Sequence, residues 1–229
     1  MIRFNWPKYV AVVVLLAAAI GATLVGVPPP LSAVLWLAGG TGLAWTASSV
    51  VATWWIYDHR RVYDRVGEGL GRVGDWASVH VGFDDATSRL ASTVGQDPVA
   101  VIELSMHASP SLRRARATQS HATHSGVPTT LPVMTSTLDS VFVTFAAHEI
   151  RDRAAQRELF GELRRVLRPD GRLIVTEHLR DIANVAVYGP GAFHFQPAGT
   201  WIDRAAEAGF ELASDVSITP FVHRMLWNR

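Results

Sequence analysis

The sequence contains no cysteine. No disulfide can hold the fold, which agrees with a reducing compartment. Net charge is nearly absent as well: 21 Lys and Arg against 20 Asp and Glu leave +1, so the chain carries no electrostatic footprint for nucleic acid. There is no internal repeat, no Ser/His/Asp hydrolase elbow, no Walker phosphate loop and no dinucleotide fingerprint. The most informative absence is local: between Lys8 and Asp58 there is no charged residue at all.

A bilayer core needs about 20 apolar residues to be crossed as a helix, and the uncharged stretch is long enough for two passes. The first, Tyr9 to about Val27, holds ten Val, Leu and Ile residues. At roughly 0.3–0.6 kcal/mol each they favour insertion by about 3–6 kcal/mol. Pro28-Pro29-Pro30 break the helix, because proline lacks the N–H and clashes with the preceding turn. A second pass is expected from about Leu31 to Tyr57, with Trp45, Trp54, Trp55 and Tyr57 suited to an interface. It is longer than a bilayer requires, so it should tilt or emerge as a juxtamembrane helix. The alternative is a cleaved signal peptide with small residues at Ala17-Ala18-Ala19; the second hydrophobic segment argues against it. Arg3 and Lys8 before the first span, and Arg60, Arg61 and Arg65 after the second, place both ends in the cytoplasm, at the inner membrane. Residues 1–57 thus read as a transmembrane hairpin and 58–229 as one further domain.

In that domain, short β-branched runs alternate with helical segments. Asp58 to about Arg72 reads as a helix leaving the membrane, weakened by Gly67, Gly69 and Gly71. Strands are expected at Ser78–Val81, Val99–Ile102, Ser140–Phe145 and Arg172–Thr176, the third a continuous apolar run of the kind buried on both faces. Helices are expected over Asp84–Val94 and Ser109–Arg116, from an Asp152 cap through Leu159, Phe160, Leu163, Val166 and Leu167, and from a Thr200 cap to Gly209. Arg168–Gly171 reads as a turn, Gln119–Thr137 as a surface loop with at most a short edge strand, and Glu211–Ile218 with Phe221–Trp227 as a closing strand pair. The alternation predicts a doubly wound, mostly parallel α/β sheet of Rossmann-like class.

Leu138-Asp139-Ser140-Val141-Phe142-Val143 followed by Ala146-Ala147-His148-Glu149-Ile150 resembles the fourth-strand segment of class I S-adenosylmethionine-dependent methyltransferases. Phe160 to Val175 resembles their next helix, turn and fifth strand, with Asp170 the one departure from the pattern E-x-x-R-V-L-K/R-P-G-G-x-L. The resemblance runs from about Ser78 to the C-terminus. It implies S-adenosylmethionine as cofactor, approached by Gly82 after the first strand, Glu103 past the second at the ribose, and Thr144 at the end of the fourth. The glycine-rich loop of that family is here Val81-Gly82-Phe83-Asp84-Asp85-Ala86, a single glycine beside Phe83 and Asp84, which would crowd the cofactor. The acid that the family often places near the adenine has no counterpart in Gly126–Pro132.

His148-Glu149 and Glu177-His178 follow the fourth and fifth strands and so belong at the carboxyl edge, where ligands bind in such folds. His148, Glu177 and His178 are the candidate catalytic residues, with Tyr188, His194 and Phe195 able to line the same pocket. No spacing supports a metal site. Two functions remain open. One is a membrane-anchored methyltransferase acting on a lipidic or membrane-embedded substrate such as a quinone, lipid or pigment precursor. The other is a non-catalytic relative serving as an accessory subunit of a membrane complex, docked through Gly39, Gly40, Gly42 and Ala44. The lipid bilayer is a partner in both, other membrane subunits in the second, and nucleic acid in neither.

Overall fold

The computed structural model describes residues 6–82, 84–105 and 122–229. The chain opens with two helices, α1 (Trp6–Leu24) and α2 (Pro29–Trp54), each long and apolar enough to cross a membrane. They pack as a hairpin. Gly39 brings the α2 backbone against α1, where a methyl group would sit 2.8 Å from the Leu16 side chain; Gly42 faces Val12 in the same way. Two of the four small residues therefore serve the hairpin itself, while Gly40 and Ala44 face outward. Trp36 Nε1 donates to Thr23 Oγ1 (3.1 Å) and ties the two helices near the turn.

The helix expected over Asp58–Arg72 is largely replaced. The end of α2 runs on as a single wide turn, Trp55–His59, Arg61 takes a left-handed conformation (φ 49°), and α3 is one turn, Val62–Arg65. Beyond it Gly69, Gly71 and Gly74 all have positive φ, which bends the chain where a helix would run straight. Carbonyls stranded by this irregular path find arginine donors from the sheet: Arg224 Nη1 reaches Val66 O (3.0 Å) and Arg172 Nη1 reaches Leu70 O (3.0 Å).

The α/β part is built on β1 (Trp76–His80), β2 (Ala100–Leu104), β3 (His124–Gly126), β4 (Leu138–Thr144), β5 (Leu167–Glu177), β6 (Glu211–Thr219) and β7 (Val222–Asn228). Their order is β3-β2-β1-β4-β5-β7-β6. β7 runs antiparallel between β5 and β6, and the other pairings are parallel. The chain winds outward in both directions from the β1/β4 seam, which makes the carboxyl ends of those strands the crevice of the fold. β1 is buried along its whole length and β4 nearly so, as their apolar runs require. The short β3 is the edge strand anticipated within the polar loop.

The connecting helices are α4 (Thr87–Val94), α5 (Arg153–Val166), α6 (Ile182–Tyr188) and α7 (Ala198–Glu207); the helix expected at Ser109–Arg116 lies outside the described residues. α5 follows its sequence pattern: Asp152 accepts from the Ala155 N–H (3.0 Å), and Leu159, Phe160, Leu163 and Val166 are buried against the sheet. Two expectations are corrected. Thr200 does not cap α7; it sits within the first turn, and Pro197, whose ring fixes φ at −68°, starts the helix without a side-chain cap. Arg168-Pro169-Asp170-Gly171 does not separate helix from strand. β5 already pairs at Leu167 opposite Leu138 and resumes at Arg172 opposite Ser140, so the four residues form a bulge inside the strand. Arg168 holds that bulge down on Asp139 (2.6 Å) and Asp75 (3.2 Å).

Asp152→Ala should lower unfolding free energy by about 1 kcal/mol, the worth of an N-cap, whereas Phe160→Ala, which empties a fully buried site, should cost about 3–5 kcal/mol. Denaturant unfolding in mild detergent, followed by near-ultraviolet circular dichroism, separates the two effects.

Candidate functional site

At the carboxyl edge the end of β4 turns abruptly. Phe145 adopts φ 50° while its N–H donates to Thr176 O (2.9 Å). The tight turn Ala147–Glu149 follows and lowers His148 onto the last residue of β5. His148 Nδ1 lies 2.6 Å from Glu177 Oε2, and its backbone N–H donates to Glu177 Oε1 (3.2 Å). On the other side His148 Nε2 faces Glu149 Oε1 at 3.5 Å. Burial by itself would lower the affinity of His148 for a proton, but the Glu177 and Glu149 carboxylates outweigh it and raise the pKa to about 10. The reverse holds for Glu149: burial pushes it up, and the hydrogen bond and charge of His148 bring it below its ordinary value. At neutral pH the group is an imidazolium held between two carboxylates, a proton donor and fixed cation rather than a general base.

His178 points the other way. Its Nδ1 donates to Phe221 O (2.9 Å), so Nε2 is the acceptor for the Tyr57 hydroxyl at 2.8 Å. Phe195 and Phe145 stack on its two sides with centroids 5.0 and 5.1 Å away, and Tyr188 meets it edge-on. Burial, reinforced by the nearby positive charge of His148, lowers its pKa to about 3. His194, whose Nδ1 donates to Gly191 O and whose ring lies 5.5 Å from that of His148, is lowered to about 4 for the same two reasons. Thus the three catalytic candidates fall into two groups. His148 and Glu177 form one ion pair; His178 joins an aromatic cluster with the expected Tyr188 and Phe195 and the unexpected Tyr57 and Phe145.

The cofactor candidates lie across the β1/β4 seam. Gly82 has φ 76°, the backbone form that a tight turn after β1 demands. Glu103 is the β2 neighbour of His80 in register. Thr144 lines a narrow cleft with Tyr63, His80, Asp84, Asp85, Ala86 and Phe145. Asp84 does more than crowd this loop: its Oδ1 accepts from the N–H groups of Ala86 (3.1 Å) and Thr87 (3.0 Å) and so opens α4. Phe83 lies outside the described residues. The cleft encloses only about 40 Å³, against about 300–1,000 Å³ for an ordinary cofactor site. In this arrangement S-adenosylmethionine does not fit: the rings of Tyr63 and Phe145 and the carboxylates of Asp84 and Asp85 border a space too small for it. Sequence alone gave no sign of Tyr57 and Tyr63 at this edge, because nothing in their spacing links the segment after α2 to the ends of β4 and β5.

The opposed shifts fix a pH profile. An unfolded histidine takes up its proton near pH 6.5, before His178 or His194 can do so in the fold, so stability falls as pH drops below about 6.5, by up to about 1.4 kcal/mol per unit for each. His148 contributes in the other sense: its stabilisation is complete below about pH 6.5 and is lost as pH rises through about 10. Denaturant midpoints at pH 4.5, 6.5 and 9 should therefore peak at 6.5. His178→Asn should flatten the acid side; an unchanged acid side would rule out this origin.

Residues 80–175 match the methyltransferase-domain family. No curated protein matches the sequence. Among solved structures, a SAM-dependent methyltransferase from Aquifex aeolicus aligns with TM-score 0.55 at 16% identity, over 76% of this chain and 92% of that one. A SAM-dependent methyltransferase from Thermotoga maritima, described as a possible histamine N-methyltransferase, aligns at 0.53 and 15%, over 78% and 94%. The pyocyanin biosynthetic protein PhzM aligns at 0.56 and 16%, over 94% of this chain and 68% of its own. At such identities the structural likeness speaks for the fold. Together with the matched family segment and the strand order, it gives the α/β part of this chain the fold of the class I S-adenosylmethionine-dependent methyltransferases.

Proposed function

We propose that the protein is a membrane-anchored methyltransferase-like enzyme whose carboxyl-edge site takes a lipidic or membrane-embedded substrate. In this reading the hairpin spans the cytoplasmic membrane and both chain ends face the cytoplasm. The observation that carries it is the placement of the hairpin's exit. At 1.5 Å per residue α1 is about 28 Å long, close to the thickness of a hydrocarbon core. α1 begins beside Trp45, where Lys8, Trp45 and Pro190 border one open groove. Past that level α2 continues without α1 and packs on α6: Ser48 Oγ donates to Val187 O (2.5 Å), and Trp45 lies against Gly189. The wide turn after α2 then delivers Tyr57 to His178. The end of α2 therefore contacts the carboxyl edge of the sheet, and in this reading an apolar substrate leaving the bilayer would meet that edge first.

On the substrate side the chain offers two kinds of group. The aromatic wall of Tyr57, Phe145, Tyr188 and Phe195 suits a flat or apolar body, and the His148–Glu177 ion pair with Glu149 gives that wall a polar neighbour. The closed cofactor cleft supports no transfer step in this arrangement. That closure, with the outward Gly40 and Ala44, favours the second reading, an accessory subunit of a membrane complex.

Two measurements test the proposal. The cysteine-free sequence permits clean single-cysteine labelling: Val25→Cys, on the turn of the hairpin, should react with an impermeant maleimide in intact spheroplasts, and Thr129→Cys only after lysis. The opposite pattern would invert the topology. Membranes containing the protein, incubated with methyl-tritiated S-adenosylmethionine, should place label in the organic extract, and His148→Gln should reduce it at least tenfold. Label no higher than in membranes lacking the protein, with stoichiometric partners co-purifying, would establish the accessory role instead.

A further inference from the structure

The cofactor cleft is narrow for an identifiable reason. Tyr63, on the single turn α3, lines it together with Phe145, and the two rings meet edge-on with centroids 5.9 Å apart. Tyr57 packs on both, at 5.3 Å from Tyr63 and 5.6 Å from Phe145. Both sides of this stack rest on backbone that ordinary residues avoid. Arg61, two residues before Tyr63, has φ 49°, and Phe145 itself has φ 50°; neither is glycine. Such conformations persist only where surrounding contacts impose them, and they gather at sites that bind or switch.

The backbone of α3 is not the movable part. Val62 and Val66 are wholly buried, Thr93 Oγ1 donates to Asp64 O (3.0 Å), and Arg65 Nη1 donates to Ile218 O (2.6 Å). The Tyr63 side chain, by contrast, is held by ring contacts with Tyr57 and Phe145 and can turn about its own bonds once those contacts loosen. Tyr57 connects this ring to the membrane helix, because its hydroxyl is bound to His178 and its ring lies against Tyr63.

We infer that Tyr63 and Phe145 form a two-ring stopper in the cofactor groove, and that its release through the Tyr57 contact lets the membrane hairpin control cofactor access. This rests on the reading of the cleft as a cofactor groove. When the terminal turn of α2 shifts, as on binding a membrane-embedded substrate, Tyr57 gives way, Tyr63 rotates out, and Gly82, Glu103 and Thr144 become available to the nucleoside. Substrate arrival would then open the cofactor site, so that cofactor is not held in the absence of anything to modify.

The test is calorimetric titration of the full chain in nanodiscs with S-adenosylhomocysteine, which cannot react. Tyr63→Ala should bind at least tenfold more tightly than the unmodified protein, while Tyr63→Phe, which keeps the ring, should match it. Phe145→Gly should tighten binding as well, since glycine accepts φ 50° without strain; should Tyr63→Ala fail to fold, Phe145→Gly carries the comparison. Unmodified protein binding as tightly as both opened variants would overturn the stopper and leave the cofactor reading intact. No binding by the unmodified protein or either opened variant would overturn the cofactor reading with it.

Discussion

The hydrogen bond from Tyr57 to His178 joins the two halves of the molecule. It forms only because His178 is neutral, with Nδ1 committed to the Phe221 carbonyl and Nε2 left as acceptor. Neutrality in turn follows from burial and from the imidazolium of His148 nearby. The charge on His148 is maintained by Glu177 and Glu149. The ion pair at the ends of β4 and β5 thus adds to burial in keeping neutral the residue that receives the end of α2. Removing either carboxylate would change more than a local contact.

That dependence gives the carboxyl edge two chemically distinct sides. The His148–Glu177 side is ionic, and the His178 side is aromatic, with Phe195 in ring contact with both histidines. Across the seam Tyr63 lines the narrow cleft beside Thr144 and Phe145, so the chain that follows α2 touches the carboxyl ends of both β4 and β5.

Much of the scaffold was legible in the order of residues, because its signals are local. The continuous apolar run of Ser140–Phe145 identified a central strand, and the Asp152 cap with its stripe of Leu159, Phe160 and Leu163 identified α5. The short edge strand in the polar loop and the antiparallel closing pair were legible for the same reason. The failures were local signals overruled by neighbours. Thr200 is a good capping residue, yet Pro197 begins the helix earlier. The Arg168–Gly171 turn exists, but tertiary pairing on both sides makes it a bulge held by Asp139 and Asp75. Asp58–Arg72 has helical stretches, but Gly69 and Gly71 take left-handed conformations because the segment must wrap onto β5 and β7.

The sequence by itself determined the two apolar helices, the alternation that builds the sheet, and the arrival of His148, Glu177 and His178 at its carboxyl edge. These follow from composition, period and the rule that ligands meet parallel sheets at strand ends. Only the tertiary structure decided which of these residues pair. Glu177 went to His148, while His178 went to a tyrosine 121 positions away. It also decided that the cleft beside Thr144 is narrow, since the rings of Tyr63 and Phe145 meet only after the chain beyond α2 has folded back over β4. Contacts across such separations leave no periodic trace in a sequence.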